Sequence, residues 1–267
     1  MSGTADLVEL RALAERVARD AGALLLEGAD RARAEVSTKS TGTDMVTEMD
    51  RASEALITAG LLGARPDDGI LGEEGVDSRG TSGVRWVVDP LDGTTNYLYG
   101  FPGYNVSIAA EVDGQAVVGV VFDVVRHEVF SAVRGAGATR DGAPIRCSEA
   151  TRLGDALVGT GFSYEPDRRR HQAQVLVDVL PRVRDLRRQG AAALDLCSVA
   201  CGRLDAYWEK GLAPWDLAAG GLIAAEAGAV VRALAGGPPV AGSVVAAAPG
   251  VADAMLELLA STGAASA

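Results

Sequence analysis

The stretch from Trp86 to Tyr97 reads WVVDPLDGTTNY, in which an apolar strand pattern runs directly into two carboxylates, Asp89 and Asp92. Pro90 favours an extended conformation for the residue before it, so Asp89 is predicted to lie at the end of the strand. Two acids three residues apart at a strand end can bind a metal ion or, more simply, stabilise a turn.

A tight bend and a helix start are predicted to follow the two acids. Gly93 permits the bend because it has no Cβ atom, and Thr94 or Thr95 can cap a helix. The backbone amides of Gly93 and Thr94 are therefore predicted to lie at the same strand end as the carboxylates.

Charge separates the two interpretations of the paired acids. No Lys, Arg or His lies between Trp86 and Val125, so no close sequence neighbour can neutralise Asp89 and Asp92. Two carboxylates about 4 Å apart repel by roughly 4 kcal/mol at an effective dielectric constant of 20. A proton or a cation must relieve this repulsion, and all-oxygen ligands favour a hard ion such as Mg²⁺. A purely loop-stabilising role stays open on these residues alone.

Further acids lie at predicted loops and helix starts. Glu73 and Glu74 lie between two glycines after a short apolar pair, and Asp216 lies in the first turn of a predicted helix. The segment 44–50, DMVTEMD, adds acids around another helix start. Helix capping explains Asp216 and the segment 44–50 without any ligand.

The composition limits the class of function. The chain has 267 residues, a hydrophobic content of 48% and a formal charge of −11, which disfavours binding to nucleic acid or to anionic membranes. No apolar stretch approaches the roughly 20 residues that span a bilayer, and the acidic N-terminal segment does not have the pattern of a signal peptide. The three cysteines do not have the spacing of a disulfide framework, which indicates free thiols. We therefore expect a cytoplasmic protein.

Hydrophobic periodicity predicts two kinds of structure in succession. Amphipathic helices are predicted at residues 7–25 and 47–62, and strands typical of an antiparallel meander follow from Val84 to Val133. After Cys147, strands and helices alternate. We therefore expect an α+β N-terminal half with an antiparallel sheet and an α/β C-terminal half, with a boundary near Glu149.

Taken together, these segments resemble the inositol monophosphatase family of metal-dependent phosphatases, particularly its bacterial members. The resemblance covers nearly the whole chain and rests on segments 44–50, 72–75, 89–97, 190–194, 215–220 and 226–228. It implies a layered α-β-α-β-α sandwich in one compact unit. Residues 1–149 would form the metal- and phosphate-binding half, and residues 150–267 would close the active site.

The resemblance also implies a site for two to three Mg²⁺ ions. The first ion and its water would be held by Glu73, Asp89, the Leu91 carbonyl and Thr94, and the second ion by Asp89, Asp92 and Asp216. Glu73 would also reach a looser third ion.

The remaining roles implied by the resemblance concern the water and the phosphate. Asp50 would hydrogen-bond Thr94 and help to activate the nucleophilic water. The amides of Gly93 and Thr94 would receive the phosphate oxygens at a helix start. Asp50, Glu73 and Thr94 are therefore the candidate catalytic residues.

The implied substrate is a small phosphorylated polyol, with inositol monophosphate as the leading candidate. Its hydroxyls would contact Asp92, Gly190, Ala191, Ala192 and Glu209. Sister phosphatases that act on histidinol phosphate, fructose 1,6-bisphosphate or 3′-phosphoadenosine phosphates remain the alternative, because the metal site is common to all of them. Lithium sensitivity and a homodimer are further implications.

Seven arginines form a basic island in this acidic chain: Arg168, Arg169, Arg170, Arg182, Arg184, Arg187 and Arg188. A solvated face or a homodimer interface explains this island most simply. Some bacterial relatives in the family also act as partners of the transcription machinery, so a binding role is the remaining alternative.

Overall fold

The structure is a computed structural model and describes residues 4–35, 42–239 and 242–266. The polar composition of residues 37–43 is typical of a turn, and most of that segment lies outside the described residues. Within them, none of the helices combines the length and the apolar character needed to cross a membrane. The cytoplasmic location stays a prediction.

Seven α-helices lie in the described part of the chain. They are α1 (Thr4–Glu35), α2 (Gly42–Ala64), α3 (Thr94–Tyr99), α4 (Pro166–Val179), α5 (Ala192–Ala200), α6 (Pro214–Glu226) and α7 (Pro249–Ser261). The longest, α1, is amphipathic, because Leu10, Val17 and Leu25 recur on one face and are buried.

Two sheets contain the strands of the same residues. The first sheet contains β1 (Gly69–Gly72), β2 (Asp77–Ser78), β3 (Val84–Asp92), β4 (Asn105–Val112), β5 (Gln115–Asp123), β6 (Glu128–Val133), β7 (Ala138–Arg140) and β8 (Ala143–Ile145), in the order β2-β1-β3-β4-β5-β6-β7-β8. The second contains β9 (Leu157–Thr160), β10 (Asp185–Arg187), β11 (Ala206–Lys210), β12 (Val230–Arg232) and β13 (Ser243–Ala247), in the order β10-β9-β11-β13-β12.

The helices and sheets stack in five layers. α1 and α2 pack on one face of the first sheet, α5 and α6 lie between the two sheets, and α7 packs on the second sheet beside α4. Three clusters of buried apolar side chains join these layers. The predicted α-β-α-β-α sandwich is confirmed. The sheets occupy residues 69–145 and 157–247, on either side of the domain boundary that stays a prediction.

The first sheet departs from the predicted meander at one edge, because β1 runs parallel to β3. β2 pairs antiparallel with β1 and brings the chain back, and the Thr81 amide then donates a hydrogen bond to the Asp67 carbonyl. β3 therefore begins beside the start of β1. The second sheet is mixed, since β9 runs parallel to β10 and β11 whereas β13 runs antiparallel to β11 and β12.

An irregularity in β3 sets the direction of the two predicted acids. Asp89 pairs with Ser107 of β4 and Asp92 pairs with Asn105, so the register shifts between the two acids. Pro90 lies at this shift and has no N–H group to donate to the ladder. Residues three apart on a regular strand face opposite sides, and one extra residue brings them to the same side. Asp89 and Asp92 can therefore serve one site.

Gly119 of β5 lies where α6, the helix that carries Asp216, crosses the first sheet. A Cβ atom on Gly119 would lie 2.7 Å from the carbonyl oxygen of Ala219. Gly119→Ala must therefore displace α6, and we expect the free energy of unfolding to fall by about 1–3 kcal/mol in urea titrations. The control is Gly63→Ala in α2, whose Cβ meets nothing within 4 Å and which should be neutral or slightly stabilising. Equal stability of the two variants would contradict this packing.

Candidate active site

One cleft of about 250 Å³ collects most of the residues that the sequence analysis singled out. Its wall contains Glu73, Asp89, Asp92, Gly93, Thr94, Gly190, Ala192, Glu209 and Asp216. Three predicted residues, Asp50, Leu91 and Ala191, are buried and do not line the cleft. Segments that are far apart in the sequence therefore meet at one place.

Asp89 lies buried at the centre of the acidic wall. Its Oδ1 accepts a hydrogen bond of 3.1 Å from the Leu91 amide, and in its protonated form it donates a hydrogen bond to Glu73. Burial, and after it the carboxylates of Glu73, Asp92 and Asp216, raises the pKa of Asp89 well above its usual range. Its neighbours are thus close enough to oppose its ionisation.

Asp92 links the first sheet to helix α5. Its Oδ2 accepts hydrogen bonds from the Asn105 side-chain amide at 2.8 Å and from the Ala193 amide at 2.9 Å. Ala193 belongs to the first turn of α5, so this acid holds the end of β3 against that helix. Burial raises the pKa of Asp92, and these hydrogen bonds offset part of that effect.

Asp216 reaches the cleft from the first turn of α6. Its Oδ2 accepts a hydrogen bond of 2.7 Å from the Ala213 amide, so the predicted capping interaction is present. Burial, and after it the charge of Asp92, raises the pKa of Asp216 to about 7. Asp216 therefore both caps α6 and forms part of the acidic wall.

The turn after Asp92 differs from the prediction in its cap. Gly93, with φ at 93°, is the N-cap residue of α3, and no side chain caps this helix. A Cβ on Gly93 would lie 2.7 Å from the Gly103 carbonyl oxygen. The predicted cap by Thr94 or Thr95 is therefore wrong, since the Thr94 hydroxyl donates to the Leu91 carbonyl at 3.1 Å instead.

Asp50 lies on α2, and its Oδ1 is buried without a hydrogen-bond partner among the described residues. The hydrogen bond from Asp50 to Thr94 that the resemblance implied is not formed, because the Thr94 hydroxyl is directed to Leu91. Burial, and after it three nearby glutamates, raises the pKa of Asp50 to about 8. The side chains at 42–47 lie outside the described residues.

Glu209 is half-buried at the end of β11. The hydroxyl of Tyr207 donates a hydrogen bond to its Oε2, so these two residues, two apart along β11, lie on the same face of the strand. Burial raises the pKa of Glu209 to about 7, against the opposing effects of the Tyr207 hydrogen bond and of Arg188.

Comparison with known proteins assigns the chain to a family. The sequence model of the inositol monophosphatase family matches residues 6–264. The chain belongs to this family. Mycobacterium leprae (strain TN) inositol-1-monophosphatase is 49% identical over an alignment of 274 positions, which covers 95% of this chain and 94% of the relative.

Two further relatives extend the comparison. The solved structure of Mycobacterium tuberculosis SuhB has a TM-score of 0.85 and 45% sequence identity, and the match covers 97% of this chain and 98% of that one. The Nus factor SuhB of Pasteurella multocida (strain Pm70) is 41% identical over 91% of this chain and 93% of its own length. The predicted family, fold class and phosphatase activity are confirmed.

The inositol monophosphatase family is metal-dependent, and the acidic wall fits a hard cation. Its candidate ligands are all oxygens, and desolvation together with the charges of neighbouring acids raises the pKa of Glu73, Asp89 and Asp216. Within the described ranges, no three Asp, Glu, His or Cys side chains already converge on one point where an ion could be held. Asp89 and Asp216 each direct one oxygen to a backbone amide, and protonated Asp89 donates a hydrogen bond to Glu73. A cation that replaces the proton of Asp89 would take the carboxylate oxygens of Asp89, Asp216 and Glu73 as its ligands.

The sequence analysis missed one wall of the cleft. This wall consists of Phe162, Ser163, Tyr164, Arg168, Arg188, Lys210, Gly211 and Leu212. Arg168 and Arg188 are exposed, as the predicted solvated face requires, but they also line the cleft. Two sequence signals pointed to this wall, since Arg188 lies two residues before Gly190 and Lys210 directly follows Glu209. Only the tertiary fold brings α4 to the site.

The raised pKa values predict how stability depends on pH in the metal-free enzyme. Asp50, Glu209 and Asp216 have a higher pKa in the folded protein than the ordinary value, so the folded state binds more protons. The stability that these groups contribute is complete below about pH 4 and is lost as the pH rises through about 7 and 8. In EDTA, the free energy of unfolding should therefore decrease between about pH 4 and about pH 8.

The matched variant is Asp50→Asn, which removes the titrating group and keeps its shape. Its stability in EDTA should decrease less over the same pH range, as measured by urea unfolding. Identical pH slopes for the variant and the wild-type protein would show that Asp50 does not carry the raised pKa.

Proposed function

We propose that this chain hydrolyses inositol monophosphate to inositol and inorganic phosphate with Mg²⁺ as its cofactor. The observation that carries the proposal is one cleft in which four acids, the Gly93-Thr94 turn and the half-buried Glu209 meet. A cleft of about 250 Å³ lies below the roughly 300–1,000 Å³ of most ligand pockets, which favours a small polyol phosphate over a nucleotide.

The acidic wall would hold the ions. Two to three Mg²⁺ ions bound by Glu73, Asp89, the Leu91 carbonyl, Asp92 and Asp216 would increase the acidity of a water molecule and offset the charge of the phosphate. The amides of Gly93 and Thr94 would bind phosphate oxygens at the start of α3. This acidic protein therefore takes its positive charge from the cofactor.

Asp50 and Thr94 would position the attacking water. The unpartnered Oδ1 of Asp50 is free to accept a hydrogen bond, and the Thr94 hydroxyl already lies beside the Leu91 carbonyl. The water oxygen forms a bond to phosphorus as the bond from phosphorus to the polyol oxygen breaks, and that oxygen takes up a proton. One water molecule is consumed, and no covalent phosphoenzyme is needed.

Glu209 and the turn at Gly190, Ala191 and Ala192 would recognise the polyol. The side chain of Glu209 lies on the cleft wall with one oxygen already bound by Tyr207, so its second oxygen can accept a hydrogen bond from a substrate hydroxyl. Such recognition favours polyols over phosphate esters without hydroxyls.

Metal dependence gives the first test of this proposal. Phosphate release should require Mg²⁺, and Asp89→Asn, Asp92→Asn and Asp216→Asn should each lower kcat/KM by more than about 100-fold, since losing even an outer partner of a metal ligand typically costs 10- to 100-fold. The control is Asp178→Asn, an exposed acid of α4 that does not line the cleft. An Asp89→Asn enzyme that is fully active in EDTA would refute the metal mechanism.

Substrate choice gives the second test. Glu209→Ala removes a charge-assisted hydrogen bond of about 1.5–3 kcal/mol, so kcat/KM for inositol monophosphate should fall by roughly 10- to 150-fold. The fall should be much smaller for p-nitrophenyl phosphate, which has no hydroxyls. Equal falls for both substrates would mean that Glu209 supports the metal site, and no fall for either would mean that it is a solvated residue.

A role as a partner of the transcription machinery is the second candidate, because the Pasteurella multocida relative carries the name Nus factor SuhB. Replacement of Asp89 would leave such a role intact and abolish phosphate release, which separates the two functions. Lithium inhibition and a homodimer stay predictions of the family resemblance.

A further inference from the structure

The turn that carries Glu73 has little structure of its own to hold that residue at the cleft. Glu73 follows β1, lies between Gly72 and Gly75, and is exposed. Gly75 has φ at 115°, so the chain turns back soon after Glu73. Ligands of metal ions are oriented by the groups around them, and a ligand on this turn must be held by another part of the fold.

Glu54 of α2 holds the turn through both of its carboxylate oxygens. Its Oε2 accepts a hydrogen bond of 2.9 Å from the Glu74 amide, and its Oε1 accepts one of 3.2 Å from the Val76 amide. Glu54 is buried, so water competes little for these two bonds. One side chain therefore fixes the backbone directly after Glu73 and again at the end of the turn.

The glycine at position 72 leaves the space that this carboxylate occupies. A Cβ atom on Gly72 would lie 2.1 Å from Oε2 of Glu54. Gly72 does not have a positive φ, so the lack of space, and not the backbone conformation, calls for glycine here. The Gly72 amide also donates to the Val76 carbonyl at 2.8 Å, which closes the turn. The missing side chain at position 72 and the carboxylate of Glu54 therefore fit each other.

The same face of α2 also contacts the strand that carries the other acids. The Ser53 hydroxyl donates a hydrogen bond of 2.9 Å to the Pro90 carbonyl, at the register shift of β3. Ser53 and Glu54 come three and four residues after Asp50, so the three residues share one face of the helix, and all three are buried. This face therefore holds both strand ends that bring acids to the cleft.

We propose that Glu54 is a positioning residue, which holds Glu73 in place as a ligand for Mg²⁺, and that Gly72 is needed to seat it. This inference rests on the proposed function and deepens it. Glu54 does not line the cleft, so it acts through the turn and does not touch the substrate. Loss of a group that orients a metal ligand typically lowers metal affinity by 10- to 100-fold.

The test is calorimetric titration of Mg²⁺ into the metal-free protein without substrate. Glu54→Gln keeps the shape of the side chain but offers one acceptor oxygen to two amides, so one amide loses its partner. The dissociation constant for Mg²⁺ should rise about tenfold or more. Amide hydrogen exchange at Glu74 and Val76 should become faster in the metal-free variant. The control is Glu257→Gln, which removes an equal charge from an exposed position on α7 and should behave as the wild-type protein.

Gly72→Ala separates the hydrogen bonds of Glu54 from its charge. Burial raises the pKa of Glu73, and the charges of Asp92, Glu74 and Glu54 raise it further, so Glu54→Gln also changes the charge around Glu73. Gly72→Ala keeps that charge and displaces the carboxylate. It should raise the dissociation constant by a similar factor, and it tests the inference even if Glu54→Gln does not fold.

A double-mutant cycle with Glu73→Gln tests whether Glu54 acts through Glu73. If it does, Glu54→Gln adds little to the rise in the dissociation constant that Glu73→Gln causes alone. Additive effects in this cycle, unchanged Mg²⁺ affinity in both Glu54→Gln and Gly72→Ala, or unchanged exchange at the two amides would each overturn the inference. The proposed function fails separately, if Mg²⁺ binding follows this pattern while inositol monophosphate is not hydrolysed.

Discussion

Mutual repulsion among clustered carboxylates is the constraint on which the site depends. Asp89, Asp92, Asp216 and Glu73 share one cleft, where desolvation raises the pKa of all four and neighbouring acids raise the pKa of Asp89, Asp216 and Glu73 further. A fold that brings such groups together loses stability unless protons or cations offset the repulsion. The protein stabilises the arrangement with backbone amides that donate to three of these acids and with a hydrogen bond from protonated Asp89 to Glu73.

The two sheets and the helices between them position these acids. The register shift at Pro90 turns two acids of β3 to one side, and helices α5 and α6, packed between the sheets, bring amide donors and Asp216 to meet them. Small residues allow the close approach of these elements, as where Ala219 of α6 crosses Gly119 of β5. Apolar clusters on both sides of the first sheet provide the stability that the acids remove.

The sequence predicted the layers and the acidic wall because both leave local signals. Apolar periodicity marks α1, and an apolar strand that ends in WVVDPLDG marks Asp89 and Asp92. The local sequence gives weaker signals for three other features, because they depend on which strands become neighbours. These features are the register shift in β3, the cap at Gly93 and the parallel pairing of β1 with β3. Arg168 and Tyr164 are brought to the cleft by the packing of α4 and its preceding loop, and no pattern in their own segment indicates that position.

The most direct measurement of the central claim is calorimetric titration of Mg²⁺ into the metal-free protein near pH 7 in buffers of different ionisation enthalpy. The account predicts that Mg²⁺ binding releases protons, because acids with a raised pKa must ionise to become ligands. The number released should fall in Asp89→Asn. Binding of Mg²⁺ with no proton release, or proton release unchanged in that variant, would contradict the account.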